Sequence, residues 1–486
     1  MGGGAFLLTL SVIAGVLLIT VPVANDQNNA SVVHAAAKVV AGNTYNVIEL
    51  IGDNQTNLNK IATCNQDTAG YYYYILTDDW DLRSNTRNVS FYSYAVIIDL
   101  NGHQVTLPRW TSEAHCSFSL HTTLAEVTDS STAQTGAFNC AAGNMTIIEC
   151  WAQNLTISGG TNVGGDYISI DLYGSSHLDV YGGNYRAAGN VLVRYMSGSP
   201  TVTVAPWVQA TYNGSDGLVS FVANENYEQD GLVYHTLYLT SDNADNINKV
   251  DACNQYKNDN IRYVLTDDWD LRNNTANITF YNYAVIIDLN GCQVSFRRWT
   301  SEAHCNFSFH TTWAEITDSS RVRRGVLNCT AGALTLYEIF SGTLTIAGGT
   351  KIGSYGVIDT YGSVNLVFKG GSYATNPLVR VMSGSVTMTF AAWVTTTYSD
   401  DGKLTAVNSA NYFAVSDSKV ISGAYNYAVG YTWDLTAGEL WNLAVPVDKA
   451  YYLWGRNADG AYEYLNTYYD GSKRTWVAVA PEISVA

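Results

Sequence analysis

The nine residues YAVIIDLNG stand at Tyr94–Gly102 and return unchanged at Tyr283–Gly291, 189 positions later. On either side, LTDDWDL (Leu76–Leu82, Leu265–Leu271) and RWTSEAHC (Arg109–Cys116, Arg298–Cys305) recur at the same offset, as do Cys64/Cys253 and Cys140/Cys329. The offset slips to 188 at Tyr173/Tyr361 and to 186 at Met196/Met382 and Trp207/Trp393, so the second copy lacks three residues, and deletions that small belong in turns. One unit is written twice, and a long-period repeat governs the fold before any local pattern does. Inside each copy runs a shorter beat. Strand-like phrases centre on Val105, Val127, Ile157, Val180 and Val202, with spacings of 22, 30, 23 and 22, and again on Val294, Ile316, Ile346, Phe368 and Met388. Phrases such as AEVTDSS, NLTISGG and HLDVYGG alternate apolar and polar residues before a turn, which puts one set in a core and the other in water. Three short strands and three turns need about this many residues to close one lap of a right-handed parallel β-helix. Laps stack ~4.8 Å apart, so about six per copy would span roughly 30 Å. A sandwich or barrel would instead show hairpin turn pairs in series, which are absent.

The expected fold is therefore all-β: a tandemly duplicated right-handed β-helix with a small C-terminal β-domain or cap. Residues 1–37 read as a signal peptide or other apolar N-terminal segment, 38–222 and 223–407 as the two copies with their lead-in strands, and 408–486, dense in Tyr and Trp, as the C-terminal domain. The lead-ins are expected to cap the open core, since bare strand edges invite aggregation. The stretch from Ala5 to Val23 is apolar and uncharged, with small residues at Ala35 to Ala37 that suit cleavage; against that, no basic residue precedes Lys38, and 19 apolar residues nearly span a bilayer. Both readings place the body outside the cytoplasm, secreted or at the cell surface, with membrane contact only through this segment. Lys+Arg number 25 against 42 Asp+Glu, a net charge of −17. Such a balance argues against a nucleic-acid partner, which requires clustered cations; the only cluster is Arg321, Arg323 and Arg324. Charged residues make up only 14% of the chain while Tyr reaches 35 and Gly 41, which suits strands rather than disorder.

IDLNGH at Ile98–His103, preceded by LTDDWDL and followed by EVTDSS and ISGG, resembles the β-helix repeats of secreted and surface proteins of Gram-positive gut bacteria, of pectate-lyase-like superfold. The likeness covers roughly 64–205 and 253–391, and the second copy departs from it by placing Cys292 where His103 stands. It implies the fold and an adhesive or structural role.

Several side chains are candidates for chemistry. Cys116 and Cys140, like Cys305 and Cys329, lie 24 residues apart, about one lap, so each pair is a disulfide candidate on neighbouring laps; buried reduced thiols are the alternative. Cys64 and Cys253 could tie each lead-in to its own copy, and Cys150 and Cys292 have no counterpart. Asp78, Asp79 and Asp81, with Asp267, Asp268 and Asp270, invite a calcium reading, because hard cations take several oxygens; alternation along a strand would divide them between two faces. Glu113, His115, Cys116 and His121, with Glu302, His304, Cys305 and His310, hold ligand types for zinc but match no metal spacing. Arg109 with Trp110, Arg298 with Trp299, and the run Tyr71 to Tyr74 offer flat rings, in the first two cases beside a guanidinium, for glycan contact. Glycosylation sequons fall at Asn88, Asn144, Asn154, Asn277, Asn306 and Asn328.

No catalytic motif stands out, no cofactor other than calcium is suggested, and duplication multiplies contacts where one active site needs no twin. The expected function is a non-catalytic extracellular structural or adhesive protein, a rod-like scaffold whose partners are glycans, other surface proteins or itself. The alternatives are a carbohydrate-active lyase or hydrolase on the same fold, and a filament subunit held by its N-terminal segment.

Overall fold

The computed structural model describes residues 37–108, 117–140, 146–164, 168–187, 191–213, 217–299, 305–320, 325–332, 335–391 and 394–408, together with the backbone of strands at 12–13, 16–17, 414–416, 452–456, 462–470 and 475–478. The protein is all-β apart from two helices among these residues. It divides into two compact units, Met1–Glu225 and Asn226–Ala486.

Within unit 1 the chain visits three sheets in fixed rotation. Tyr71–Leu76 joins the first sheet, Trp80–Asp81 the second and Val89–Phe91 the third; Ala95–Asp99, Gln104–Thr106 and Phe118–Leu120 then repeat the sequence, and three further passes follow. Successive strands within a sheet pair in parallel. The first-sheet register sets Tyr74, Ile98, Val127, Ile157, Val180 and Val204 in one column, with spacings of 24, 29, 30, 23 and 24. Two members of the expected beat therefore need correcting: Val105 lies in the second sheet and Val202 sits two residues from the column. Tyr74 to Val180 are at most 1% exposed, and cutting any of these aliphatic side chains to alanine would cost roughly 2–5 kcal/mol.

The repeated LNG phrase has a local cause. After the strand Ala95–Asp99, Asn101 and Gly102 both take positive φ, 45° and 79°, and Asn290 and Gly291 do the same at 44° and 81°. Asn and Gly tolerate that region where branched residues do not. The aspartates around the turn hold it in place. Asp99 accepts from the backbone N–H groups of Asn101 and Ser130, and Asp129 from those of Gly102, Ser131 and Gly136, at 2.6–3.1 Å. Asp288 and Asp318 make the same bonds in unit 2.

Each lead-in contains a helix that the strand-based reading did not anticipate, α1 (Asn54–Cys64) and α2 (Asn243–Cys253). Asp53 and Asp242 are the N-caps, accepting from Thr56 N–H in α1 and from Ala244 and Asp245 N–H in α2. The buried residues Asn57, Ile61 and Cys64 fall at i, i+4 and i+7, one face of the helix. Asn57 is wholly buried and bonds both the N–H and the C=O of Ile51; Asn246 does so to Thr240. Because α1 lies between two first-sheet strands, Asn43–Leu50 and Tyr71–Leu76, it stands where later passes carry second- and third-sheet strands. Its start accepts from Trp80 Nε1 through Asn54, and Asn65 just past its end pairs with the backbone of Ser90 and Tyr92 at the third sheet's first strand. At the other end, hairpins Val208–Tyr212/Leu218–Ala223 and Thr395–Tyr398/Leu404–Asn408 add antiparallel strands to the second sheet of their unit. The strands after 408 form a separate four-stranded antiparallel sheet.

A hairpin also covers the far face of the first sheet. In unit 1 the strand Ala37–Val40 turns back on Asn43–Leu50, and Tyr45, Tyr73, Ala95 and Ile97 form a small second core there. Inside it Asp99, 0% exposed, accepts from the Tyr73 hydroxyl at 2.5 Å, while Lys38 bonds that hydroxyl and lies 3.8 Å over the Tyr73 ring. In unit 2 Arg262 replaces Tyr73 and Tyr227 replaces Lys38. The guanidinium then pairs with buried Asp288 and stacks 4.1 Å over the Tyr227 ring. Cation and ring have changed places while the contact and the carboxylate are kept.

Candidate functional site

In unit 1 the third sheet is built from three-residue strands, the first four of which turn their outer members into the core and the middle member the other way; in unit 2 the strands Thr335–Ile346 and Val357–Phe368 run on from this row into the first sheet. Register therefore lines up Ser90, Ser119, Glu149, Asp171 and Arg194 in unit 1, and Thr279, Ser308, Glu338, Asp359 and Arg380 in unit 2. Arg194 grips both oxygens of Asp171, at 2.7 and 2.6 Å, and reaches Thr146 Oγ1 at 3.3 Å. Arg380 repeats this on Asp359 and Thr335. Asp171 and Asp359 are each 1% exposed. A bidentate pair of this kind orients the guanidinium and takes up both carboxylate oxygens. Two strands before Asp171, Ser119 Oγ lies 2.9 Å from His121 Nε2 and donates to Glu149 at 3.4 Å. Burial holds the imidazoles of His121 and His310 below their ordinary pKa, with the Glu149 charge working against it at His121.

Beside this row runs a column of rings: in unit 1 each lies one residue beyond a third-sheet strand, and in unit 2 the last two lie inside the strands Thr335–Ile346 and Val357–Phe368. Tyr92, His121, Trp151 and Tyr173 stack at 4.9, 5.8 and 4.0 Å with interplanar angles of 10–13°. Tyr281, His310, Phe340 and Tyr361 stack at 5.0, 4.3 and 4.6 Å. Tyr92, Trp151 and Tyr281 are nearly half exposed. Stacked rings spend their faces on one another and turn edges to solvent, which suits holding register better than receiving a sugar face. In unit 1 each ring follows a strand directly, and Tyr92, His121, Trp151 and Tyr173 succeed one another by 29, 30 and 22 residues, a signal present in the sequence.

The residues singled out from sequence are dispersed. Asp79 and Asp268 accept from the backbone N–H of Gln104 and Gln293, one pass on, and Asp78 and Asp267 each accept from the next residue's N–H. Asp81 and Asp270 pair with exposed Arg83 and Arg272, whose hydrogen bonds hold both carboxyls below the usual range. No group of three or more His, Cys, Asp or Glu gathers to hold a metal among the described residues. Trp299 is 6% exposed and packs under Arg297, so the ring expected beside Arg298 offers no free face. Asn306 is buried, bonded to the backbone of Arg297 and Thr335, and unavailable to a glycan; Asn154 is exposed, and Asn88, Asn277 and Asn328 are half-buried. Arg109, Trp110, Glu113, His115, Cys116, Asn144, Glu302, His304 and the cluster at Arg321 to Arg324 lie outside the described residues.

The expected disulfide between Cys305 and Cys329 does not form, and Cys140 is likewise a free thiol, as are Cys64, Cys150, Cys253 and Cys292. The reason is register. The pass there takes 30 residues rather than 24, so Cys305, just before a third-sheet strand, lines up with Thr335, while Cys329 follows a second-sheet strand. Burial pushes the Cys140, Cys253 and Cys329 thiols up to about 12. No helix among the described residues is long and apolar enough to cross a membrane. No family model, curated protein or solved structure matches the chain.

Proposed function

We propose that each unit is a right-handed parallel β-helix and that the chain is a non-catalytic extracellular scaffold presenting two such units to glycans or other surface proteins. Parallel strands joined by crossovers within one sheet are right-handed in about 98% of cases, and the fixed rotation through three sheets is the order a solenoid requires. The observation that carries the functional reading is where the acidic groups are spent. Asp99, Asp129 and Asp171 each bond a neighbouring pass, and Asp288, Asp318 and Asp359 do so in unit 2. Groups so committed hold passes together and leave little to activate a substrate. The resemblance of IDLNGH and its flanking phrases to surface β-helix repeats points the same way.

A carbohydrate-active reading has one feature in its favour. Glu149 and Asp171 are register partners, roughly 4.8 Å apart by strand spacing, near the ~5 Å of retaining glycosidases. Asp171, however, already gives both oxygens to Arg194. The test is a screen of acidic and neutral polysaccharides, with and without calcium, comparing the native chain with the Glu149→Gln/Glu338→Gln variant. No turnover by either is expected; turnover that the variant loses would overturn the scaffold reading.

A further inference from the structure

In unit 2 the first and third sheets are joined through the long strands Thr335–Ile346 and Val357–Phe368, and the three rows of strands end differently on the side away from α2. The hairpin Thr395–Tyr398/Leu404–Asn408 carries the second sheet past its last parallel strand. The third sheet stops at Val379–Val381, and the first at Ser385–Phe390, six residues that pair in parallel with Ser363–Phe368 and with no other strand among the described residues. On the core side of this strand Val386, Met388 and Phe390 are only partly buried, whereas their register partners Val364, Leu366 and Phe368 are 3%, 0% and 0% exposed. On the other side Ser385, Thr387 and Thr389 are exposed. The strand carries no charge, proline or bulge, none of the devices by which soluble proteins protect an edge. The described strands after 408 pair among themselves and not with it. The corresponding edge of unit 1, Thr201–Val204, is shorter and directly follows Pro200.

We propose that Ser385–Phe390 pairs antiparallel with the same strand of a second copy, about a two-fold axis perpendicular to the first sheet. The strand is self-complementary in one register. With Met388 opposite itself, Val386 faces Phe390 and Thr387 faces Thr389, so apolar residues meet on the core side and threonines on the other. Pairs of both kinds favour antiparallel sheets, and like patches meeting across a two-fold make a closed interface. The flanks fit as well. The second sheet runs one strand beyond this edge and the third stops one short, so the two-fold lays the long flank of each copy against the short flank of the other. This deepens the scaffold reading by naming a second copy as partner. The two can fail separately, since a monomer would still be a non-catalytic scaffold and a dimer could still turn over polysaccharide.

The test uses the full chain. Sedimentation equilibrium is expected to give a dimer. Thr387→Lys/Thr389→Lys sets like charges opposite each other twice across the axis and should weaken the dimer about tenfold or more. Thr387→Lys/Thr389→Glu sets opposite charges at the same places and should restore it, which also shows that a charged edge still folds. Met388→Cys should give a disulfide-linked dimer on mild oxidation, because directly opposed residues lie within disulfide reach. A monomeric native chain, a dimer indifferent to both double variants, or long polymers abolished by deleting residues 1–36 but not by the 387/389 charges would each overturn the proposal; the last would assign the edge to strand donation by the N-terminal segment.

Discussion

The exchange between the two hairpin-covered cores is an experiment already half performed, and its remaining half can be made in unit 1. Lys38→Tyr removes the cation that Asp99, 0% exposed, has above the Tyr73 ring. Breaking a fully buried pair costs about 3–5 kcal/mol; Lys38 is only half-buried, so roughly 2 kcal/mol is expected. Tyr73→Arg alone places a guanidinium against Lys38 and removes the ring beneath the ammonium, again at roughly 2 kcal/mol. Made together, the changes reproduce the Tyr227–Arg262–Asp288 arrangement of unit 2. The double variant should lie within about 1 kcal/mol of the native protein, a coupling of roughly 3 kcal/mol, at the top of the range for residues in contact. Calorimetry of the unit 1 transition would show about 4–8 °C lost in each single variant and under ~4 °C in the double. Hydrogen exchange at Ala37–Val40 should follow the same order. A double variant whose loss is the sum of the singles would refute the reasoning, because the exchange would then be two unrelated substitutions.

Three more outcomes follow from the buried groups. All seven described cysteines should titrate as thiols in denaturant without reductant, and in the native protein Cys292, the least buried, should react first; fewer thiols would show that bridges form. Burial depresses the His235 pKa from 6.5 to about 4. The unfolded state therefore binds the extra proton first, and its contribution to unit 2 stability is whole above about 6.5 and is lost as pH falls toward 4; His235→Gln should flatten the acid side of the profile measured by urea midpoints. Asn57→Ala leaves both the N–H and C=O of Ile51 without their partner and should cost roughly 2–4 kcal/mol, read as a lower urea midpoint, whereas Asn59→Ala, on the exposed side of α1, should cost under ~0.5 kcal/mol.

Much of the architecture was legible because strand alternation and the LNG turn are local features. Phe118-Ser119-Leu120 and Ile148-Glu149-Cys150 alternate apolar and polar residues and so declare their core side by themselves. The length of each pass was less legible, since the connections between second- and third-sheet strands vary, and a count of 24 placed Cys305 beside Cys329 when Thr335 is its neighbour. The helices were missed because α1 and α2 are rich in Asn and bury a polar residue, Asn57 or Asn246, where an apolar one would have announced the helical period. The third-sheet row was missed for another reason. Ser119, Glu149, Asp171 and Arg194 are unremarkable apart, and only register makes them neighbours.

The placement of a helix at the head of each unit also has a mechanical meaning. Asn57 fastens α1 to the strand before it, and Asn246 does the same for α2, so each unit carries its own latch. A chain pulled from its two ends would meet those latches one at a time. It should give way in two separate ruptures, the freed half paying out as slack while the other still bears the load.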